Sequence, residues 1–312
     1  MKTVIALLLI VFPFVSQNRP AQVHLPLNQR PTVSFTFDDG KTTALGGYEL
    51  KVWNGLILAA LKENNIKAIL FVAGHNKKTL NGRYVLESWN NAGHRLANHS
   101  LNHPNFNNDD VTLEQFKNEL LANDALIKGY SNYFRYFRFP YLKEGNTPEK
   151  VAGFREFMKQ NNYRHGHVTI DASDWYVDSR LRNYLAANPG ADVGAYKTFY
   201  IQHIYDRAVF YDSLAYSLTG KHINHSLLLH HNLVSALFLK DLIRHFKAKG
   251  WNVMDADKAY TDEVYKTVTQ TTPAGESLIW SMAKQSGKFE QVLRYPAEGG
   301  EYEKARMDSL GL

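Results

Sequence analysis

The chain has 312 residues and contains no cysteine. This absence excludes a disulfide scaffold, a thiol nucleophile, an iron–sulfur cluster and every thiolate metal site. A metal ion in this protein would therefore have to be held by His, Asp or Glu. Glycine and proline are not enriched, with 20 and 10 residues, which excludes collagen-like and low-complexity classes.

Long runs of one charge are missing as well. The net charge is +6, but no five like charges stand in a row, so the sequence does not favour nucleic-acid binding. The apolar run Val4–Val15 follows Lys2 and is shorter than the ~20 residues of a typical membrane-spanning helix. We interpret residues 1–22 as a signal peptide. The protein is then secreted or periplasmic, with no stable membrane span after signal removal, or membrane-anchored if the segment is not cleaved.

Apolar side chains are plentiful, at 44% of the residues, and can form a sizeable core. Short β-branched and apolar runs alternate with stretches of helical periodicity. The predicted strands are 32–37, 68–72, 95–97, 136–139, 167–170, 226–229 and 251–254. The predicted helices between them are 52–62, 80–90, 112–128, 147–160 and 234–249. This order predicts a parallel sheet, open or closed, with its ligand site at the C-terminal strand ends.

Two segments stand outside this repeat. Residues 178–222 are rich in Tyr and Phe, and we predict a helical insertion there. Its aromatic rings could stack on sugar rings or simply cover the sheet. Residues 261–312 form a C-terminal extension with a predicted helix at 276–284.

Polar clusters lie at the ends of five of the seven predicted strands. They are Asp38-Asp39-Gly40, His99 to Pro104, Arg138 to Tyr141, Asp171 to Trp175, and Leu228 to His231. Two adjacent carboxylates repel each other unless a cation or a proton holds them. Two imidazoles with one carboxylate are a common zinc or iron arrangement that leaves positions open for water. Each cluster alone is compatible with an ordinary turn, but five at five strand ends predict a shared site.

Taken in order, these clusters resemble the motifs of the polysaccharide deacetylase family, carbohydrate esterase family 4, with its NodB-homology domain. The motif residues here are Thr36-Phe37-Asp38-Asp39-Gly40, His99-Ser100-Leu101-Asn102-His103-Pro104, Arg138-Phe139-Pro140-Tyr141, Asp171-Ala172-Ser173-Asp174-Trp175 and Leu228-Leu229-His230. The resemblance covers about residues 30–257. It implies a distorted (β/α) barrel of about seven parallel strands and a NodB-homology domain at 28–260 that includes the insertion.

The resemblance also implies roles for the first motif residues. Asp38 would be the general base, and Arg138 would orient it. Asp39, His99 and His103 would bind a divalent metal ion. Zinc is favoured, and cobalt, nickel, manganese or iron also suit such ligands. A metal polarises a carbonyl and lowers the pKa of water, while a free carboxylate can take the proton.

The remaining motif residues would complete the site. Tyr141 would lend its backbone N–H to the oxyanion. Asp174 would tune the acid His230, and Trp175 and Leu228 would line an acetyl pocket. These roles imply a hydrolase that removes acetyl groups from a carbohydrate polymer or oligomer. N-deacetylation of amino sugars is favoured, and O-deacetylation of xylan-type esters stays open.

Some alternatives remain at this point. His231 also fits the last motif, but successive strand residues face opposite ways, so only one of His230 and His231 can enter the site. A glycoside hydrolase could use Asp38 and Asp174 as its carboxylate pair, and a catalytically silent carbohydrate-binding protein could share the fold. Three other histidines are interpreted as structural or solvated, namely His203, His222 and His225.

Overall fold

The computed structural model describes residues 30–296 and 299–312. The predicted signal peptide at 1–22 lies outside these residues. Within the described ranges, no helix is both long and apolar enough to span a bilayer.

The strands, in chain order, form one large parallel sheet and one small antiparallel pair. They are β1 Thr32–Asp39, β2 Ile69–Val72, β3 Arg95–Asn98, β4 Tyr133–Phe137, β5 Lys143–Gly145, β6 Arg164–His165, β7 Asn224–His230, β8 Asn252–Val253 and β9 Ala274–Gly275. The seven-stranded sheet has the order β6-β4-β3-β2-β1-β7, with β8 also paired to β1. Strand β5 pairs with β9.

The large sheet curls into a distorted barrel. Strand β6 pairs with β4, and the same stretch of chain reaches β7 a few residues later through a parallel bridge between Ile170 and Leu227. Leu228 donates its N–H to the Ile170 carbonyl at 3.0 Å. The predicted barrel of about seven parallel strands is confirmed, and the single predicted strand 167–170 is replaced by a short strand and this bridge.

The helices surround the sheet. They are α1 Leu50–Glu63, α2 Leu80–Asn91, α3 Leu113–Ile127, α4 Pro148–Gln160, α5 Asp174–Ala187, α6 Gly194–Thr219, α7 Leu233–Ala248, α8 Ala256–Ala259, α9 Leu278–Ser286 and α10 Glu301–Ser309. The insertion predicted at 178–222 consists of α5 and α6 and begins earlier than expected. Ser173 adopts a left-handed conformation (φ 51°) that turns the chain directly from the motif into α5.

Strand β1 shows how the sequence directs a polar residue to the barrel mouth. Its apolar positions Val33, Phe35 and Phe37 are fully buried, and they alternate with polar ones. Ser34 and Thr36 are also buried, because their hydroxyls donate to carbonyls of β7 at 2.9 and 2.8 Å. Since side chains alternate across a strand, Asp38 shares the face of these polar residues at the C-terminal end of β1.

Candidate active site

The C-terminal ends of the barrel strands surround a cavity of about 560 Å³. Eight of the ten predicted site residues line it: Asp38, Asp39, His99, His103, Tyr141, Trp175, Leu228 and His230. The other two, Arg138 and Asp174, are buried behind this lining. They contact Asp38 and His230, respectively. The structure therefore brings all ten residues together.

Three of the lining residues form a compact set of possible metal ligands. The ligand atoms of Asp39, His99 and His103 all lie within 4.8 Å of one another. The Ser100 hydroxyl accepts the N–H of His103 at 3.0 Å and closes the turn that brings the two imidazoles together. The Nδ1–H of His99 donates to the Arg138 carbonyl at 2.8 Å. This hydrogen bond leaves Nε2 of His99 free for a ligand.

The charge states of these three residues suit a cation. Burial lowers the pKa of both His99 and His103 to about 4, so both rings are neutral at pH 7. Burial alone would raise the pKa of Asp39, but the nearby imidazoles of His230, His103 and His99 outweigh it and hold this pKa far below its ordinary range. Two neutral imidazoles and one carboxylate are the donor set of many divalent metal sites.

Asp38 is held by one oxygen and open at the other. The Nη1 of Arg138 donates to Oδ1 of Asp38 at 2.6 Å, whereas Oδ2 lies 3.5 Å from Nε2 of His99. Arg138 is fully buried, and it also donates to the Gly166 carbonyl and the Tyr260 hydroxyl at 2.9 and 3.0 Å. Burial raises the pKa of Asp38, against the opposing charge of Arg138. A carboxylate with a raised pKa is better suited to accept a proton.

His230 forms a close pair with Asp174. Its Nδ1 lies 2.6 Å from Oδ1 of Asp174, and its backbone N–H donates to Oδ2 at 2.9 Å. Burial alone would lower the pKa of His230, but Asp174, followed by Asp39 and Asp38, raises it to about 9. His230 therefore carries a proton at neutral pH.

The neighbouring His231 faces away from the cavity. Its Nε2 lies 2.8 Å from Oδ1 of Asn54, and its ring packs against Trp53 and Trp89. His230, the last residue of β7, thus lies at the cavity, and His231, which follows the strand, lies in the core. The three histidines interpreted as structural lie outside the cavity lining, namely His203, His222 and His225.

Replacing Asp174 by Asn should move the basic limb of the pH profile. The amide lacks the negative charge that raises the pKa of His230, so this pKa should fall by about 1–2 units. The basic limb of kcat/KM should then shift to lower pH by a similar amount, while the acidic limb stays in place.

The raised pKa of His230 also stabilises the folded state below pH 6.5, and this stabilisation is lost as the pH rises through about 9. Between these pH values the unfolding midpoint should therefore fall less in the variant than in the unmodified protein. A basic limb of kcat/KM that does not move would contradict the role of Asp174.

The remaining predicted residues form the apolar rim. Leu228 packs with Leu142 and Val168 in a small cluster of its own. Tyr141 is 53% exposed, and its ring lies 4.6 Å from that of His103. Trp175 lines the same cavity.

Several cavity residues were not predicted from the sequence, and Lys77, Glu276 and Pro296 are three of them. Lys77 is only 3% exposed, and burial lowers its pKa to about 8 against the raising effect of Asp39. Glu276 and Pro296 belong to the C-terminal extension and still line the cavity. No local motif marks these positions, because they reach the site only through the packing of distant segments.

A second His–carboxylate group does not line the cavity. Glu144, His165 and His167 could in principle hold a metal. The two imidazole rings, however, stack in parallel with centroids 3.5 Å apart, so their ring planes do not converge on a common point. Glu144 pairs with His165 at 2.9 Å and with Arg155 at 3.2 Å. We interpret this group as an ion-pair network that fixes β5.

Comparison with known proteins finds a family match for part of the chain. Residues 27–158 match the model of the polysaccharide deacetylase family. This segment therefore matches a polysaccharide deacetylase domain and contains the first three of the five motifs that predicted it. The match ends before the fourth and fifth motifs, and the structure places those motifs around the same cavity.

Individual relatives are distant. A peptidoglycan-N-acetylglucosamine deacetylase from Bacillus cereus is 24% identical over 171 residues, which are 53% of this chain and 56% of the relative. The chain thus spans about half the length of this relative.

Two solved structures share the fold. One is a family 4 pseudoenzyme from Bacillus anthracis, with 17% identity, a TM-score of 0.52, and coverage of 74% of this chain and 66% of that one. The other is a peptidoglycan N-acetylglucosamine deacetylase, with 19% identity, a TM-score of 0.51, and coverage of 76% and 90%.

Proposed function

We propose that this protein is a metal-dependent hydrolase that removes acetyl groups from an acetylated polysaccharide or oligosaccharide, with N-acetylated amino sugars favoured over O-acetyl esters. One observation carries the proposal: Asp39, His99 and His103 converge beside a second carboxylate and a protonated histidine in one cavity. The Bacillus cereus relative, named as a peptidoglycan-N-acetylglucosamine deacetylase, supports the preference for amino sugars.

The three ligands fit a divalent cation, because both imidazoles are neutral and the carboxylate is ionised. Zinc suits this set, and cobalt, nickel, manganese and iron are compatible with it. When bound, such an ion would polarise the acetyl carbonyl and lower the pKa of the attacking water.

Asp38 is the proposed general base. Arg138 fixes its Oδ1 at 2.6 Å, so Oδ2 is left to take a proton from water. The adjacent Asp39 faces His103, with Oδ1 lying 3.6 Å from Nε2. The two neighbouring carboxylates can therefore serve different purposes.

Two further groups act on the acetyl carbonyl and the leaving group. The backbone N–H of Tyr141 is the proposed oxyanion donor, and losing one such donor typically costs ~3 kcal/mol. An amide nitrogen leaves poorly without a proton. His230, kept protonated by Asp174, is the proposed acid that supplies it.

The glycoside hydrolase alternative is less well supported. Asp174 is buried, and its two oxygens engage His230 and the Asn232 amide. Both oxygens of this carboxylate therefore already bond to protein groups, and neither is available to act on a glycosidic bond. The pair Asp38 and Asp174 also leaves the two histidines His99 and His103 without a role.

Acetate release is the direct test. Purified protein loaded with zinc should release acetate from chitin oligomers or peptidoglycan, and EDTA should reduce the rate at least about tenfold because the metal supplies carbonyl polarisation. Added zinc should restore it. New reducing ends that form in the presence of EDTA would indicate a glycoside hydrolase. No acetate from any amino sugar or acetylated xylan would indicate a silent binding protein.

The proposed substrates also bear on location. Peptidoglycan and other structural polysaccharides lie outside the cytoplasm, and the predicted signal peptide at residues 1–22 agrees with that location. We propose that the protein acts as a secreted or periplasmic enzyme, or from a membrane anchor if the signal stays attached.

A further inference from the structure

We propose that strand β9 of the C-terminal extension, followed by Glu276, is a positioning element that holds the Tyr141 N–H in place for the oxyanion. This inference rests on the deacetylase function proposed above. The extension would then be part of the catalytic unit, although it lies beyond the segment that matches the family.

The backbone around Tyr141 needs external support. Tyr141 and Leu142 are consecutive non-glycine residues with φ values of 56° and 58°. Left-handed conformations are unfavourable for such residues and persist only where the surroundings impose them. The local turn contributes hydrogen bonds from the Leu142 N–H to the Phe139 carbonyl and from the Lys143 N–H to the Pro140 carbonyl, but neither of them holds the Leu142 carbonyl.

The support comes from the C-terminal extension. The N–H of Glu276 donates to the Leu142 carbonyl at 2.8 Å. Two residues later, the N–H of Leu278 donates to the Val168 carbonyl at 2.7 Å. The extension therefore bridges the Tyr141 loop and the barrel wall.

Side chains from other elements hold both strands of this small sheet, β5 and β9, in place. Glu144 of β5 pairs with Arg155 and His165. On β9, the Ser281 hydroxyl of α9 donates to the Gly275 carbonyl. The Leu142 carbonyl is thus set by two anchored strands.

Gly275 makes the close approach possible. Its φ is +128°, and a Cβ added there would lie 2.0 Å from the Leu142 oxygen. That contact is with backbone, so any side chain at residue 275 has to displace the loop that carries Tyr141. Glu276 adds a 2.7 Å ion pair with Lys143 at the cavity rim.

The test is the substitution Gly275→Ala, with Gly287→Ala as the matched control. Gly287 lies in the same extension and also has a positive φ (+67°), but a Cβ there meets no atom within 4 Å. Gly275→Ala should lower kcat for acetate release at least tenfold, with KM changed less than threefold and zinc per chain unchanged. Gly287→Ala should leave kcat within twofold of the unmodified protein.

Amide hydrogen exchange of the peptide spanning residues 139–146 gives a second readout that needs no substrate. Exchange should be faster in Gly275→Ala and unchanged in Gly287→Ala. If Gly275→Ala does not fold, Ser281→Ala removes only the hydrogen bond to Gly275 and should show a smaller effect in the same direction. Unchanged exchange and kcat, or a loss of kcat that only follows a loss of zinc, would overturn the positioning role. An unmodified protein that releases no acetate would instead contradict the proposed function, and the exchange result would still decide the positioning.

Discussion

Replacing Asp38 by Asn should lower kcat for acetate release by about 10³-fold, within the range for removal of a general base. The amide keeps an oxygen that can accept from Arg138, but it cannot take a proton from water. Zinc should stay bound, because Asp39, His99 and His103 are intact. Steady-state kinetics with zinc analysis of the same sample would measure both quantities.

The adjacent position provides the contrasting variant. Asp39→Asn removes the ionised oxygen of the ligand set and should weaken zinc binding, with activity partly recovered at high zinc concentration. Asp109→Asn changes a carboxylate outside the cavity, where it accepts from Asn146 at 2.8 Å, and should leave both quantities unchanged. Loss of zinc in Asp38→Asn would transfer the ligand role to Asp38.

A stability measurement should accompany this comparison. Arg138 is fully buried, and removing one partner of a buried ion pair typically costs about 3–5 kcal/mol. Asn should cost less, because the hydrogen bond to Arg138 is retained and Tyr260 and Gly166 also accept from this guanidinium. A variant that unfolds at the assay temperature would lose zinc and activity together, so the unfolding midpoint separates this outcome from a true loss of the base.

The sequence predicted those parts of the fold and of the site that depend on local backbone periodicity and motif spacing. The alternation in β1 places Asp38 at the barrel mouth, and the helix predicted at 112–128 begins with a capping box formed by Thr112 and Gln115. The choice between His230 and His231 was left open because both fit the motif. Only the packing of His231 against Trp53 shows which of them faces the core.

Other parts of the site depend on contacts between distant segments. Strands β5 and β9 have three and two residues, too few for a periodic pattern. Glu276 reaches the cavity because β9 pairs with β5, a contact that no local sequence feature encodes. Lys77 could not be placed for a similar reason, since its burial depends on the loop between β2 and α2 folding over Gly40.

The position of β9 also affects how the extension is understood. A boundary at residue 260 separates the family motifs from the rest of the chain, yet Glu276 and Pro296 line the same cavity as those motifs. The aromatic insertion between the fourth and fifth motifs supports the extension from the other side, because α6 packs against α9. The extension therefore contributes to the walls of the site, and the insertion packs against the extension without lining the cavity.

Replacing His230 by Ala should distinguish amide from ester chemistry. Amine leaving groups need a proton, so kcat for an N-acetylated amino sugar should fall by about 10²–10³-fold. An alkoxide leaves more readily than an amide anion, so any O-acetyl esterase activity should fall much less. Parallel assays on chitin oligomers and acetylated xylan give this ratio directly.

The control for this variant is another histidine whose Nδ1 pairs with an aspartate. His222 lies 2.9 Å from Asp212 through Nδ1 and does not line the cavity. His222→Ala should therefore leave both activities within about twofold, as expected for a substitution away from the site. Equal losses on amide and ester substrates in His230→Ala would contradict a role as leaving-group acid and would favour a role for His230 in orienting Asp38 and Asp39, whose carboxylates help to raise its pKa.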